Sequence, residues 1–339
     1  MASTNSSTEN PAKVQSPEPE EQTPFQENQT QIEADDSAFS DYDDTGSQAS
    51  STQSLSSSIL EHVYANGRRY HRRSAEEDQQ YLVPSDETEL DRLDMMHHLT
   101  LLVLGGELHK APLVGDPHNV LDCGTGTGIW ALDFGSMHPG SKVVGVDLAP
   151  NQPGWVYPNV VFETDDLEKP WTYKKNHFDY IHSRHTTPGG YVEIAEHSMN
   201  YAQCDDGSVP ADSVLLKHVD LFMKAMDKLG VNARGLDGKF IRQHLETAGF
   251  VDIKTYTYKV PVGPWPKSKN FKYMGAVCAE ITKTGAEAYG MMAMTRLLEM
   301  PEEEVREMFT GVYKTIMGRE QHPYYLHWQI VARKPEAQA

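Results

Sequence analysis

Cysteine is scarce in this chain, and long apolar runs are missing. The 339 residues include only three cysteines, Cys123, Cys204 and Cys278, and their spacing fits neither a disulfide framework nor a zinc site. No apolar run approaches the roughly 20 residues that span a bilayer, and the N-terminus lacks the basic-then-apolar order of a secretion signal. These absences predict a cytoplasmic or nuclear protein with no metal site and no membrane association.

Basic side chains are also few. Lys and Arg number 30 against 49 Asp and Glu, which gives a net charge of −19. Such a surplus repels phosphate backbones, so we expect no direct contact with nucleic acid.

More than half of the negative surplus lies in residues 1–57, where eleven acidic side chains face a single base, Lys13. The same segment is rich in Ser, Thr, Gln, Glu and Pro and nearly lacks bulky aliphatic residues. It cannot bury enough apolar area to offset its chain entropy, so we predict a disordered tail. The tail is either an inert solubilising segment or a partner-binding arm, since phosphorylation of the serine cluster at 47–58 would add further charge.

The strongest positive signal is a glycine-rich turn within residues 120–134. A short apolar strand ends there at Asp122, and Gly124, Gly126 and Gly128 follow at alternate positions before a helical pattern begins. Glycines in such a turn let the backbone bend tightly and let a ligand approach without meeting a Cβ. The helix that follows presents free N–H groups to the same space. The pattern predicts a ligand site at this turn.

Two carboxylates and the glycine spacing indicate which ligand. A second strand ends in Asp147, where nucleotide-binding βαβ units hold a ribose diol. Dinucleotide folds use G-x-G-x-x-G, whereas here the spacing is G-x-G-x-G with Asp122 two residues before the first glycine. A carboxylate at that place repels a pyrophosphate but suits a cationic amino-acid tail. A dinucleotide oxidoreductase is therefore disfavoured, and the turn resembles motif I of class I S-adenosylmethionine-dependent methyltransferases.

The resemblance extends to one family through a string of short motifs. They are NGRRYH at 66–71, YLVPSDE at 81–87, DRLD at 91–94 with HH at 97–98, GVDLAPNQP at 145–153, DDLEKPW at 165–171 and FDYIHSR at 178–184. In this order they resemble the LaeA-like fungal methyltransferases, which include regulators of secondary metabolism and pathway enzymes. The resemblance implies a Rossmann-like α/β sheet with helices on both faces and S-adenosylmethionine as cofactor. Two functions stay open: methylation of a small metabolite, and regulation through nuclear protein partners.

The resemblance also implies a set of cofactor-binding residues at the ends of the first three strands. They are Asp122, Gly124, Gly126, Gly128, Asp147, Leu148, Asp166 and Leu167. In this set Asp166 would accept from the exocyclic amine of an adenine, and Leu167 would contact its ring.

No catalytic residue is assigned, because methyl transfer depends mainly on alignment and on the exclusion of water. A base is needed only if the acceptor arrives protonated. The candidates near the tips of strands four and five are His182, His185, Glu193 and Glu196.

The chain is expected to divide into an N-terminal helical cap (58–118), a cofactor-binding core (119–200) and a C-terminal half (201–335). In the cap, apolar residues at three- and four-residue steps predict an amphipathic helix over 86–104. Tyr70, Tyr81 and His97 of this cap are expected to pack rather than to touch a ligand. Helices are predicted at 128–137 and within 270–317, and the second region is expected to cover the substrate. The last of the predicted strands is expected to be antiparallel by analogy with the fold. The strands are predicted at 120–122, 143–147, 160–163, 178–182, 191–196, 250–260 and 325–333.

One departure from the family lies between His182 and Tyr191, where only eight residues occur. Parallel neighbouring strands need a crossover of about a dozen residues or more, and the family usually has roughly 25 further residues here, including a helix. A lost exon, a misjudged splice site or a functional shortening would explain the gap. Without the helix we expect a bare sheet face, doubtful substrate positioning next to Arg184, and a poorly soluble or inactive protein.

Overall fold

The computed structural model describes residues 62–71, 83–167, 169–184 and 191–335. The predicted tail at 1–57, Tyr81, His185 and the rest of the 185–190 link lie outside these residues. In chain order the elements are β1 (His62–Ala65), β2 (Arg68–His71), α1 (Glu87–Val103), β3 (Asn119–Cys123), α2 (Ile129–Met137), β4 (Lys142–Asp147), β5 (Val160–Thr164), β6 (Tyr180–Arg184), β7 (Tyr191–His197), α3 (Val214–Lys228), α4 (Gly238–Thr247), β8 (Val251–Pro261), α5 (Lys269–Met292), a π-helical turn (Ala293–Leu297), α6 (Glu302–Gly318) and β9 (Tyr324–Arg333).

Seven strands form one sheet in the order β5-β4-β3-β6-β7-β9-β8. The strands from β5 to β7 are parallel, and β9 runs antiparallel between β7 and β8. The chain moves outward from β3 to β5 and returns to β6 on the other side of β3. Ligands of open α/β sheets bind at the carboxyl edge beside such a reversal. The seven predicted strands are confirmed, each within two residues at either end.

Helices cover both faces of the sheet, as predicted. On one face α2 packs through Trp130 and Phe134 against a buried cluster with Val120 and Val143. On the other face α4 packs through Ile241 and Leu245 against the cluster that contains the inward residues of β7 and β9. The predicted helical insertion is confirmed as α5, the π-helical turn and α6. No helix within the described ranges is long and apolar enough to cross a membrane.

The segment predicted as a helical cap begins with a hairpin of β1 and β2, which the sequence did not predict. Asn66 and Gly67 form its turn at φ 52° and 79°, the pair of left-handed residues that a two-residue hairpin favours. Tyr70 is 1% exposed and packs against α3 and α5, so its expected packing role is confirmed. Strands of four residues carry too little alternation to be recognised from sequence.

The parallel pairing of β6 and β7 is confirmed, with Tyr180 opposite Tyr191 and Arg184 opposite Ala195. The expected bare sheet face is not observed, since Ile181 is 2% exposed and Val192 is fully buried. The reason is local packing: Trp171 and Tyr173, from the segment after β5, pack against the cluster of Ile181, and α4 packs against that of Val192.

Candidate active site

The glycine turn after β3 has the shape that the sequence predicts. Gly124, Gly126 and Gly128 have φ values of 65°, 58° and 81°, all in the left-handed region that side chains disfavour. A Cβ at Gly128 would lie 2.4 Å from Cζ of Phe162, so this glycine permits helix–sheet packing. A Cβ at Gly126 would meet only Cδ1 of Leu93, at 3.4 Å. Gly126 therefore borders the space between the turn and α1.

Asp147 fixes the turn from the end of β4. One carboxylate oxygen accepts from the amide of Gly126 at 2.8 Å and the other from the amide of Ala149 at 3.0 Å. Burial raises the pKa of Asp147, and these two amide donors oppose the shift. Each oxygen keeps a further lone pair, so the carboxylate can also accept from a diol at the carboxyl edge.

Asp122 is placed differently, beneath the turn. Its side chain accepts from the Thr125 hydroxyl at 2.6 Å and lies 2.7 Å from Nδ1 of His182. The residue is 2% exposed, and the ring of His182 stacks on Trp130 with centroids 3.7 Å apart. Asp122 thus joins the turn to β6, and its predicted contact with a cationic tail stays a prediction.

Three further contacts hold the turn, and sequence reasoning did not assign them. The Gln152 amide donates to the carbonyl oxygens of Gly126 and Ala149 at 2.7 and 3.1 Å. The Thr127 hydroxyl donates to Asp94 of α1 at 2.6 Å. Both Gln152 and Asp94 lie inside the motifs of the family resemblance, which was the available signal. The turn is therefore braced from α1 on one side and from the segment after β4 on the other.

The residues predicted at the adenine end lie in the segments after β4 and β5. Leu148 is 38% exposed and is free to form an apolar wall. A carboxylate oxygen of Asp166 lies 3.1 Å from the ammonium of Lys169, and Leu167 packs against the cluster of Ile181. The structure brings Asp147 and Leu148 to the turn, but the roles of Asp166 and Leu167 stay predictions.

The acid–base candidates separate into buried and edge residues. His182 is 1% exposed and Glu193 is fully buried. Glu193 accepts from the amides of Lys110 and Ala111 at 2.6 and 2.7 Å, so it anchors the segment before β3 rather than facing a ligand. Glu196, near the end of β7, is 7% exposed and accepts from the amide of His197 at 2.8 Å. Within the described ranges, no group of three or more His, Cys, Asp or Glu is arranged to hold a metal ion.

Comparison with known proteins identifies this architecture. A family model described as a methyltransferase domain matches residues 95–188. The chain is 37% identical over 306 positions to methyltransferase pytC of Aspergillus terreus, covering 84% of this chain and 92% of that protein. The chain belongs to the LaeA-like family of fungal methyltransferases.

A second relative shows the breadth of the family. The secondary metabolism regulator LAE1 of Cochliobolus heterostrophus is 33% identical over 301 positions, covering 80% of this chain and 94% of that protein.

Among solved structures, phosphoethanolamine N-methyltransferase 2 of Haemonchus contortus has a TM-score of 0.39 and 15% identity, covering 76% of this chain and 54% of that one. A likeness of this degree supports no further argument. The LaeA-like chain thus has relatives named as a methyltransferase and as a regulator.

Proposed function

We propose that this protein binds S-adenosylmethionine at the glycine turn and transfers its methyl group to a small metabolite. One observation supports the proposal above the others: three left-handed glycines form a turn that Asp147 fixes through the amide of Gly126. When bound, S-adenosylmethionine supplies a methyl group on a positively charged sulfonium. The chain's own residues then have to bind, orient and desolvate the reactants.

The residues of the turn suit each part of that cofactor. Asp147 accepts from the ribose hydroxyls, as its position at the end of β4 predicts, and Leu148 lies beside it. Gly126 leaves room for the amino-acid tail next to α1. For the ammonium of that tail we propose Asp94, an exposed carboxylate held by Thr127 at 2.6 Å, because Asp122 is only 2% exposed. Asp122 then acts by holding the turn in shape.

Calorimetric titration with S-adenosylhomocysteine tests the site. Asp147→Ala should weaken binding by about 1–3 kcal/mol, roughly 5- to 150-fold, because two amides and the ribose lose their acceptor. Asp116→Ala is the matched control: Asp116 also accepts from a loop amide, that of Gly140 at 2.8 Å, but it lies before β3, away from the carboxyl edge. Equal affinity of the wild type and Asp147→Ala would place the cofactor elsewhere.

A second candidate function is regulation through a protein partner. The relatedness to LAE1 and the strongly acidic segment at 1–57 support it. Metabolite profiling of a deletion strain separates the two candidates. Loss of one methylated compound, with accumulation of its demethyl precursor, supports the enzyme, whereas changes across many unrelated pathways with no such precursor support the regulator.

A further inference from the structure

Tyr289 of α5 accepts a hydrogen bond from α1, the helix that braces the glycine turn. The guanidinium of Arg92 donates to the Tyr289 hydroxyl at 3.2 Å, and it is held by Glu89 through two hydrogen bonds of 2.6 and 2.8 Å. Glu89 and Arg92 are 3% and 2% exposed, whereas Tyr289 is 37% exposed. A buried ion pair therefore holds the hydroxyl of a tyrosine whose side chain is partly exposed.

The same stretch of α1 reaches the cofactor site. Leu93, next to Arg92, lies 3.4 Å from the Cβ position of Gly126, and Asp94 holds Thr127. Three consecutive residues of α1 thus connect Tyr289 to the glycine turn. On the other side, the charge of Glu196, near the carboxyl end of β7, is close enough to raise the pKa of Tyr289.

The direction of the hydroxyl proton follows from the donors. Arginine has only donors, so the phenolic oxygen accepts from Arg92 and its hydrogen points elsewhere. Burial among its neighbours is the main cause that raises the pKa of Tyr289, which keeps the phenol protonated at neutral pH. Tyr289 is therefore a hydrogen-bond donor rather than a base.

We propose that Tyr289 binds the methyl acceptor by donating a hydrogen bond to an oxygen of a small molecule, a hydroxyl, carbonyl or carboxylate, beside the glycine turn. Arg92 and Glu89 are positioning residues for that phenol. The proposal rests on the proposed methyltransferase function and extends it to the acceptor class. Burying an ion pair is costly and gives little net stability, and orienting the Tyr289 hydroxyl provides a reason for it here.

The test compares two tyrosines of the same helix. Tyr273 is also accessible, at 53%, and its hydroxyl also contacts α1, at 3.2 Å from Nε2 of His98. Tyr289→Phe and Tyr273→Phe are introduced at the native locus, and the purified proteins are assayed with the demethyl compound that accumulates in the deletion strain. Tyr289→Phe should lower kcat/KM for that compound at least tenfold and leave the affinity for S-adenosylhomocysteine within twofold. Tyr273→Phe should change neither.

Two other results would decide against the proposal in different ways. If Tyr289→Phe keeps kcat/KM within twofold of the wild type, Tyr289 only packs α5 against α1, and the acceptor site lies elsewhere. If the wild-type protein purified from the native locus, with whatever link its transcript encodes, methylates no accumulated compound, the proposed function itself fails, and the assignment of Tyr289 fails with it.

A separate observation concerns the length of the chain between β6 and β7. The two strands are parallel neighbours, yet only residues 185–190 join them. Returning from Arg184 to the level of Tyr180 requires about 13 Å along the strand, which is within the roughly 20 Å that six residues can span at most. A link of this length has no room for a crossover helix, which parallel neighbours usually have.

The alignments with relatives show a deficit of matching size. The alignment with pytC has 306 positions but covers 84% of this chain, about 285 residues, so about 21 positions of pytC face no residue here. The alignment with LAE1 of Cochliobolus heterostrophus has 301 positions and covers 80% of this chain, about 271 residues, so about 30 positions of LAE1 face no residue here. The match to the methyltransferase family model also ends at residue 188, inside the link.

We infer that the native protein has roughly 20 to 30 further residues between Arg184 and Tyr191, enough for a crossover helix. Sequencing transcripts across codons 182–191 tests this, and we expect an in-frame insertion of that size. A tryptic digest of the native protein gives a second readout, since the present sequence yields one peptide that spans 185–217. Detection of that peptide, or transcripts that all read as the present sequence does, would overturn the inference.

Discussion

Alanine substitutions at three glycines with similar backbone angles can separate an effect on cofactor binding from an effect of backbone strain. Gly126, Gly128 and Gly67 have φ values of 58°, 81° and 79°. Alanine at a left-handed position costs about 1–2 kcal/mol of stability. At Gly67 the added methyl group would meet no atom within 4 Å, so Gly67→Ala should show that strain alone.

Gly128→Ala should differ from this reference in stability, and Gly126→Ala should differ from it in cofactor affinity. Gly128→Ala adds overpacking against Phe162, 2.4 Å away, so its loss of stability should reach about 2–5 kcal/mol. Gly126→Ala has no such clash and should lose only about 1–2 kcal/mol. Its methyl group lies where the proposed cofactor passes, so affinity for S-adenosylhomocysteine should fall at least tenfold, about 1.4 kcal/mol.

Urea unfolding measures the three stabilities, and calorimetry measures the affinities of Gly126→Ala and Gly67→Ala. Gly67→Ala should bind S-adenosylhomocysteine as the wild type does, since the hairpin turn lies away from the glycine turn. Wild-type affinity in Gly126→Ala, or an equal loss in Gly67→Ala, would show that the space over Gly126 is not the binding site.

Three further predictions concern the tail, a buried histidine and a buried glutamate. Deleting residues 1–57 should change neither the thermal midpoint nor cofactor affinity, because a polar tail has no core to lose; a large fall in melting temperature would contradict this. Burial lowers the pKa of His218 to about 4, so the unfolded chain is protonated before the folded protein as the pH falls below about 6.5. The free energy of unfolding, measured in urea, should therefore fall by about 2 kcal/mol between pH 7 and pH 5. In His218→Asn this fall should be absent. Glu193→Ala should cost at least about 3 kcal/mol in the same assay, since the amides of Lys110 and Ala111 lose their acceptor; a smaller loss would mean that water replaces the carboxylate.

The parts of the fold that sequence reasoning predicted are local. The strand, glycine turn and helix at 119–137 are specified by residues that are neighbours along the chain, and the structure places all three glycines at positive φ. The parallel fourth and fifth strands and the antiparallel last strand followed from the family resemblance rather than from any pattern of hydrophobicity. Local pattern and resemblance together therefore predicted the architecture of the core.

Most of the missed contacts join residues that are distant in sequence. Asp122 and His182 are separated by 60 positions, and Glu193 and Ala111 by 82. A carboxylate at a strand tip and one inside a strand look alike in sequence, and only the fold shows which one is saturated by protein donors. This is why Glu193 was a candidate base and why the contact of Asp94 with Thr127 was not recognised.

The two halves of the site depend on different parts of the chain. The proposed contacts to the ribose and the amino-acid tail lie between Asp94 and Leu148, before β6 begins, so the length of the 185–190 link leaves them intact. The proposed acceptor contact at Tyr289 lies after that link in the chain and near Glu196 of β7, the strand that the link leads into. The 339-residue form should therefore bind S-adenosylhomocysteine yet turn over no acceptor, whereas a form with the longer link should do both. Cofactor affinity and turnover, measured on both forms, would show whether the shortened link separates binding from catalysis.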